Sequence, residues 1–346
     1  MHDETLNEEG PVKSEEFDIR GFDQDGDPEA TRVAQSLVTV ADAVAELPAR
    51  WERAAAPLAT GLRRLDHFLN GGVRAGDFVA AAGPAKSGKT ALVGQLAHDL
   101  ARAGALVIYA SVEMPRHEMV SRWIARETFL EARVEGSHEP PIDHAAVLHG
   151  AAHRGVPGEG EVEAAARARV QLRLASAMRA VASVGARLFV EHLATGASIE
   201  VLRDIILRAR AQTTHTGLTV LVVDPLERVF ATERGPLYGE PLERANAQEA
   251  ERLAIASQQL KELVDDAALN LAVVVASSTS SAASPLAHLA TTLLDVAVAG
   301  ARVDCVGNRR GAAGPLHVAF VPAAAAFVDR LVDESHDAPP RRAKRS

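Results

Sequence analysis

The chain has 346 residues, 47% of them hydrophobic, and a formal net charge of −9, so it can bury one large core or two modest ones. Its single cysteine, Cys305, excludes an internal disulfide and is typical of a reducing compartment. The chain has no run of about 18 apolar residues, and its first residues lack the basic and apolar regions of a signal peptide, so we expect a soluble, cytoplasmic protein without a membrane partner.

The charge imbalance is concentrated at the start of the chain. Residues 1–30 hold eleven acids against Lys13 and Arg20, a balance of −9, so the remainder is formally neutral. An acidic segment with few apolar residues cannot bury enough surface to fold. We therefore predict an acidic disordered tail at 1–30 and, at the other end, a basic disordered tail at 331–346.

An amphipathic helix is predicted next, over residues 31–57. Apolar residues recur at steps of three and four from Val33 to Trp51, which indicates a helix of about five turns that ends near Pro48. Its apolar face must pack either on its own domain or on a neighbouring subunit. The sequence leaves both possibilities open.

A phosphate-binding loop follows, because residues 83–90 match the pattern G-x-x-x-x-G-K-[ST]. A short apolar run precedes the loop and a run with helical spacing follows it, which places a helix N-terminus against the phosphates. In this pattern the lysine reaches the β- and γ-phosphates, and the threonine hydroxyl can bind Mg²⁺. The nucleotide-binding residues predicted in this way are Gly83, Pro84, Ala85, Lys86, Ser87, Gly88, Lys89 and Thr90.

The rest of the chain alternates strand-like and helical runs. Strands are predicted at 105–112, 187–191, 218–224 and 271–276, and near 293–299, 301–306 and 315–321. Helices are predicted at 115–130, 161–183, 198–212 with Ser198 as N-cap, and 243–266, whereas 131–160 has an irregular pattern. Apolar strands that alternate with helices predict an α/β fold, in which helices cover both faces of a mostly parallel sheet.

Two acids end apolar strands after the phosphate loop. Asp224 closes the run Val220–Asp224, where a buried carboxylate is costly unless it is paired or bound to a metal. A Mg²⁺-nucleotide site needs an acid at such a position. Glu113 closes the preceding strand, and beside a γ-phosphate it would act as general base on the attacking water. An ordinary acid at a strand end is the alternative interpretation.

Several short motifs together resemble the C-terminal motor domain of DnaB-type replicative helicases, a RecA-like P-loop NTPase that forms hexamers. They are Thr60–Asp66, Gly71-Gly72, Gly76-Asp77, the phosphate loop, Ser111–Met114, Ser198–Arg210, Asp224-Pro-Leu and Val306–Gly311. The similarity defines residues 58–330 as the ATPase domain.

The resemblance implies a role for each of these sites. ATP and Mg²⁺ would be the cofactors, with Lys89 on the phosphates, Thr90 on the metal, Asp224 in the second coordination sphere of the metal, and Glu113 as base. Arg310 would be the catalytic finger that reaches the γ-phosphate of a neighbouring subunit. The resemblance further implies a hexameric ring, single-stranded DNA as partner, and a linker helix at 31–57 that docks on the adjacent subunit.

The chain also departs from the family pattern. Ser278 stands where the family has a glutamine that senses the γ-phosphate, and Asn308 stands where a lysine precedes the finger. Residues 279–292 carry no charge apart from His288, so they cannot supply the counterion release that drives binding to a DNA backbone. Three arginines near the other expected DNA-facing loop would compensate in part, namely Arg228, Arg234 and Arg244.

Three functions remain open from the sequence. The first is a DnaB-like ring motor, a helicase or translocase on single-stranded DNA in replication. The second is a RecA-fold ATPase without helicase activity that acts as a nucleotide-dependent switch or assembly factor. The third is a module that holds ATP without turnover, and the intact Glu113 and Arg310 argue against it. The breadth of the resemblance favours the ring motor, and the lack of charge in residues 279–292 favours the ATPase without helicase activity.

Overall fold

The computed structural model describes residues 38–53, 55–150, 154, 160–230, 242–279, 285–297 and 302–330, with only the backbone at 53 and 242–249. The chain divides into two units, residues 1–55 and 56–346, and each is described by itself. The tails predicted at 1–30 and 331–346 lie outside the described residues.

The first unit contains helix α1 (Val40–Arg53). Thr39 caps it, because its Oγ1 accepts the backbone N–H of Asp42 at 3.1 Å. The helix continues through Pro48 to Arg53 and does not end near Pro48 as the sequence suggested. A proline inside a helix removes one backbone hydrogen bond without always ending the helix. The earlier part of the predicted helix, before residue 38, lies outside the described residues.

The second unit is built on an eight-stranded sheet with the order β10-β9-β8-β1-β7-β5-β2-β3. The strands are β1 (Phe78–Ala82), β2 (Leu106–Ser111), β3 (Leu188–His192), β4 (Ala197–Ser198), β5 (Thr219–Asp224), β6 (Val229–Phe230), β7 (Leu271–Ser277), β8 (Thr292–Val296), β9 (Val303–Asn308), β10 (Gly314–Pro315), β11 (Val318–Val321) and β12 (Ala326–Asp329). The six strands from β8 to β3 in this order are parallel, and β9 and β10 extend the sheet in antiparallel pairing. Strands β11 and β12, and likewise β4 and β6, form separate pairs.

Helices cover both faces of the sheet. The described helices of this unit are α2 (Arg63–Phe68), α3 (Lys89–Arg102), α4 (Arg116–Val134), α5 (His144–Leu148), α6 (Glu161–Ala182), α7 (Ile199–Thr213), α8 (Leu242–Asp265) and α9 (Leu286–Leu289), of which α5 and α6 pack on α4. Alternate residues of β1 separate the two faces: Val79 and Ala81 pack in the cluster of α3 and α4, whereas Phe78 packs in that of α7 and α8. Among the described helices, none is long and apolar enough to cross a membrane.

The α/β fold with a mostly parallel sheet is therefore confirmed, and the differences from the sequence prediction are shifted element ends and short elements that were not predicted. Helix α4 continues to Val134, and α5 lies inside the region predicted as irregular, with Asp143 accepting the backbone N–H of Ala145. The short β12 was not predicted, because four residues are too few for a clear period. The N-cap prediction at Ser198 is confirmed, since its hydroxyl accepts the N–H of Val201.

Candidate nucleotide site

The phosphate loop lies between the carboxyl end of β1 and the start of α3. Gly83 has φ +154, and a Cβ there would lie 2.2 Å from the carbonyl oxygen of Val296, so only glycine fits. Gly88, with φ +102, precedes Lys89, where α3 begins. The free N–H groups of the first helical turn therefore face the loop, which is the geometry of an anion-binding site.

Lys89 points back into the loop. Its Nζ donates to the carbonyl oxygens of Gly83 at 2.8 Å and Pro84 at 2.7 Å. Burial lowers the pKa of Lys89, and the negative charges of Glu227, Asp224 and Glu113 oppose this effect. The ammonium thus lies among carbonyl and carboxylate oxygens at the site where phosphate oxygens are expected.

Asp224 ends β5 beside the loop and is buried. Its Oδ1 accepts from the Thr90 hydroxyl at 3.3 Å, and its Oδ2 accepts from the Tyr109 hydroxyl at 2.6 Å. Burial raises the pKa of Asp224, while the hydrogen bonds from Tyr109 and Thr90 lower it. The two predicted metal residues, Thr90 and Asp224, are therefore in direct contact.

Glu113 follows β2 in a turn closed by Ser111, whose hydroxyl donates to the carbonyl of Met114 and accepts its N–H. The Glu113 side chain is exposed. Its charge raises the pKa of Asp224 and that of Lys89, so it acts on the same site. The structure therefore brings four predicted residues to one edge of the sheet: Lys89, Thr90, Glu113 and Asp224.

The residues of this edge fit a Mg²⁺-triphosphate. The Ser87 hydroxyl is buried without a hydrogen-bond partner among the described residues, so it is a polar group inside the loop that a phosphate oxygen could satisfy. Mg²⁺ usually takes one or two protein ligands beside phosphate oxygens and waters. Thr90, whose hydroxyl contacts Asp224, matches that small number, and in the described ranges no group of three or more His, Cys, Asp or Glu side chains could hold an ion alone.

Arg310 lies at the other end of the strands. It follows β9, which runs antiparallel to β8 and ends opposite the start of β8. Its Nη1 lies 2.7 Å from Oδ1 of Asp77, the buried residue before β1. Asn308 shapes this turn, since its amide donates to the carbonyls of Phe68 and Ala312 and its Oδ1 accepts the N–H of Arg310. The structure thus does not bring Arg310 to the phosphate loop of its own chain.

The residues predicted to bind DNA are only partly described. Arg228 is exposed at the end of a short 3₁₀ turn (Leu226–Arg228) after β5. Arg234 lies outside the described residues, and only the backbone of Arg244, in α8, is described. Ser278, at the position of the family glutamine, donates its backbone N–H to Oε1 of Glu227 at 2.6 Å.

Sequence reasoning missed two residues of this edge, Tyr109 and Glu227. A signal for Tyr109 existed, because a tyrosine inside an aliphatic strand needs a partner for its hydroxyl once it is buried. Glu227 offered a weaker signal, as an acid shortly after Asp224. Tyr109 bonds Asp224, and Glu227 bonds Ser277 and Ser278. These residues are far apart in sequence, so spacing could not predict either contact.

A comparison with protein families agrees with the geometry of this edge. Residues 57–138 match the family model of the DnaB-like helicase C terminal domain. The resemblance to DnaB-type motor domains is thereby confirmed. The matched range includes the phosphate loop and Glu113 and ends before Asp224 and Arg310. Among curated protein sequences, none matches the chain significantly.

Two solved structures share the fold. The first, described as the structure of a DnaB-like replicative helicase and its interactions with primase, is 16% identical with a TM-score of 0.62, covering 88% of this chain and 71% of that chain. The second, described as an ATPase domain, is 15% identical with a TM-score of 0.61, covering 84% of this chain and 99% of that chain. These likenesses confirm the RecA-like α/β fold with its large, mostly parallel sheet.

Proposed function

We propose that this chain is an ATP-hydrolysing motor of the DnaB type, which forms a ring and acts on single-stranded DNA in replication. The observation that carries the proposal is the convergence of Lys89, Thr90, Glu113 and Asp224 at the carboxyl ends of parallel strands. A loop that only held a nucleotide would need no acid beside a metal-binding pair. The family match at 57–138 supports the same interpretation.

Each residue of the site has a separate task in this proposal. The loop N–H groups and Lys89 bind the β- and γ-phosphates of ATP. Thr90 and Asp224 would hold Mg²⁺ at the metal end of the site, and the ion would supply positive charge that stabilises the phosphates during transfer. Glu113 orients the attacking water and accepts its proton. Tyr109 keeps Asp224 oriented toward Thr90.

Arg310 completes the site only if it comes from a neighbouring subunit. The segment from Asp77 to Gly83 spans about 20 Å as extended chain, so the two ends of β1 are too far apart for Arg310 to serve its own loop. We propose that Arg310 acts in trans, after exchanging Asp77 for a γ-phosphate. We also propose that the helix at 31–57 docks on the adjacent subunit, which would cover the exposed Val44 and Trp51 of α1.

The DNA-binding surface is proposed to include Arg228, Arg234 and Arg244. Arg228 is exposed directly after the strand that ends at Asp224, so DNA bound there would lie close to the nucleotide site. Arginine contacts to phosphates release counterions, which makes such binding sensitive to salt.

The second candidate is a RecA-fold ATPase without helicase activity that works as a switch or assembly factor. The absence of charge in residues 279–292 favours it, because this segment follows β7 beside the site and offers DNA only His288. Such a protein would hydrolyse ATP at the same residues. Its partner would then be a protein, and hydrolysis would not respond to DNA.

One experiment separates the candidates: the ATPase rate with and without single-stranded DNA at several salt concentrations, together with the mass in ATP by light scattering. The motor predicts DNA-stimulated hydrolysis that salt suppresses, and an oligomeric mass. Hydrolysis that DNA leaves unchanged would favour the switch. Lys89→Ala is the control, and equal hydrolysis by this variant would contradict both candidates.

A further inference from the structure

Glu227 connects the 3₁₀ turn after β5 to the end of β7. Its Oε1 accepts hydrogen bonds from the Ser277 hydroxyl at 2.7 Å and from the Ser278 backbone N–H at 2.6 Å. The carbonyl oxygen of Ser277 in turn accepts the N–H of Gly83, the first residue of the phosphate loop, at 3.2 Å. A continuous set of hydrogen bonds therefore runs from Glu227 to the loop.

The other oxygen of this carboxylate is in an unusual position. Oε2 of Glu227 is buried and has no hydrogen-bond partner among the described residues. Burial lowers the pKa of Lys89, and Glu227 opposes that effect more strongly than Asp224 or Glu113 does. The Lys89 ammonium thus attracts the negative charge of Glu227, whereas hydrogen bonds from described residues satisfy only one of its two oxygens. A buried carboxylate normally needs a charged partner and hydrogen bonds to both oxygens.

We propose that Glu227 is a positioning residue that transmits the charge of the bound nucleotide to the end of β7. This inference rests on the proposed function, because it needs a triphosphate in the loop. Lys89 now donates to the carbonyls of Gly83 and Pro84. When its ammonium engages phosphate oxygens instead, Glu227 loses part of its attraction and gains a negative neighbour.

The repulsion acts on the two hydrogen bonds that Oε1 accepts. Since Oε2 accepts no hydrogen bond from a described residue, the two bonds to Oε1 are the ones that the added charge must weaken for the carboxylate to turn away. The N–H of Ser278 then loses its acceptor, and the backbone at the end of β7 is released. The γ-phosphate contributes the charge that separates ATP from ADP, so the release depends on which nucleotide is bound.

Hydrogen exchange at the end of β7, followed by mass spectrometry, tests this inference on the full chain. The probes are Mg²⁺ with ADP and Mg²⁺ with a non-hydrolysable ATP analogue. In the unmodified protein we expect roughly tenfold faster exchange at Ser278 with the analogue, the value of one hydrogen bond to a charged acceptor. Glu227→Gln keeps an acceptor oxygen and removes the charge, so the difference between the nucleotides should disappear.

Two further variants separate charge from structure. Glu227→Ala removes the acceptor and should speed exchange with both nucleotides, whereas Glu227→Gln should restore the slow exchange seen with ADP. Glu262→Gln changes an exposed acid on α8 and should behave like the unmodified protein. A nucleotide-dependent difference that survives in Glu227→Gln would overturn the inference.

The failure of this inference is distinguishable from failure of the proposed function. Binding of a fluorescent ATP analogue is measured on the same samples. If the nucleotide does not bind, the proposed function and the inference both fall. If it binds with Mg²⁺ and exchange at Ser278 is the same as with ADP, only the role of Glu227 is lost.

Discussion

Two buried aspartates at opposite ends of the parallel strands are stabilised in different ways. Asp224, at the carboxyl end of β5, contacts two neutral hydroxyls, those of Thr90 and Tyr109. Asp77, at the amino end of β1, faces the guanidinium of Arg310. Burial raises the pKa of both carboxyls, and the opposing groups are mainly hydroxyl donors for Asp224 but include the nearby cation for Asp77.

The difference indicates what each end can bind. A carboxylate that is oriented mainly by neutral donors, with Lys89 as a smaller contribution, keeps much of its negative charge available, which suits a site for a cation such as Mg²⁺. A carboxylate paired with arginine is already compensated, so it holds that arginine until a stronger anion replaces it. These environments support the proposal that one end carries out chemistry within the chain and that Arg310, at the other end, serves a neighbouring subunit.

Among the variants that test the two ends of the strands, replacement of Arg310 has the largest expected effect on ATP hydrolysis. Arg310→Ala should lower ATP hydrolysis by about 10³-fold or more, the usual value of a trans-acting arginine. Mixing Arg310→Ala with Lys89→Ala subunits should restore part of the activity, because some interfaces then combine an intact Lys89 with an intact Arg310. Steady-state hydrolysis of the single variants and of the mixture measures both effects.

The controls for this prediction address stability and the neighbouring arginine. Arg310→Ala leaves Asp77 buried without its cation, so the double variant with Asp77→Asn shows whether a loss comes from misfolding. Arg309→Ala removes an adjacent exposed arginine. A full loss in Arg309→Ala, with normal hydrolysis in Arg310→Ala, would transfer the role to Arg309.

At the carboxyl end, Glu113→Gln should lower turnover by about 10²- to 10⁴-fold, the usual contribution of a general base. ATP binding should remain, because Glu113 is exposed and its charge disfavours the phosphates. Turnover and fluorescent-nucleotide binding are measured together, with Glu135→Gln, an exposed acid at the end of α4, as control. Normal turnover in Glu113→Gln would end its assignment as base.

Tyr109→Phe tests the neutral partner that distinguishes Asp224 from Asp77. Loss of the 2.6 Å hydrogen bond leaves Oδ2 of Asp224 buried without this donor and less firmly oriented. We expect the apparent affinity for Mg²⁺, measured through nucleotide binding at increasing Mg²⁺ concentration, to fall by about 10- to 100-fold, as for other groups that orient a metal-binding residue. The control is Thr219→Val, in β5. It removes a buried hydroxyl that has no partner among the described residues, and it should leave the apparent affinity for Mg²⁺ unchanged.

The limits of sequence prediction follow from the same contacts. The phosphate loop was predictable because its residues are contiguous, and buried parallel strands were predictable because both faces are apolar. The hydrogen bond between Tyr109 and Asp224 depends on the pairing of β2 with β5 across 115 positions, which no local period encodes. The ion pair of Arg310 with Asp77 depends likewise on the order of β9, β8 and β1.

A third buried group, His98, lies on α3, the helix that starts at Lys89. Burial, together with the charges of Arg126 and Arg102, lowers the pKa of His98 to about 3. Glu127 lies 3.7 Å away but is paired with Arg102 at 2.9 Å. The folded chain thus keeps this imidazole neutral where the unfolded chain protonates it, near pH 6.5.

The sign of the effect follows from this depressed pKa. Stability from the neutral His98 is fully present above about pH 6.5 and is lost as the pH falls, by about 1.4 kcal/mol per pH unit in the free energy of unfolding. In His98→Leu the contribution of His98 to the pH slope of the free energy of unfolding should vanish. The substitution breaks no hydrogen bond in the described part of the chain, because neither ring nitrogen makes one there. Urea unfolding between about pH 7 and pH 5 gives the slope of the free energy of unfolding with pH for the variant and for the unmodified protein. Glu127 contributes to both slopes, so their difference reports on His98. His117→Leu, at an exposed position of α4, is the control, and equal slopes for His98→Leu and the unmodified protein would show that His98 is protonated inside the fold.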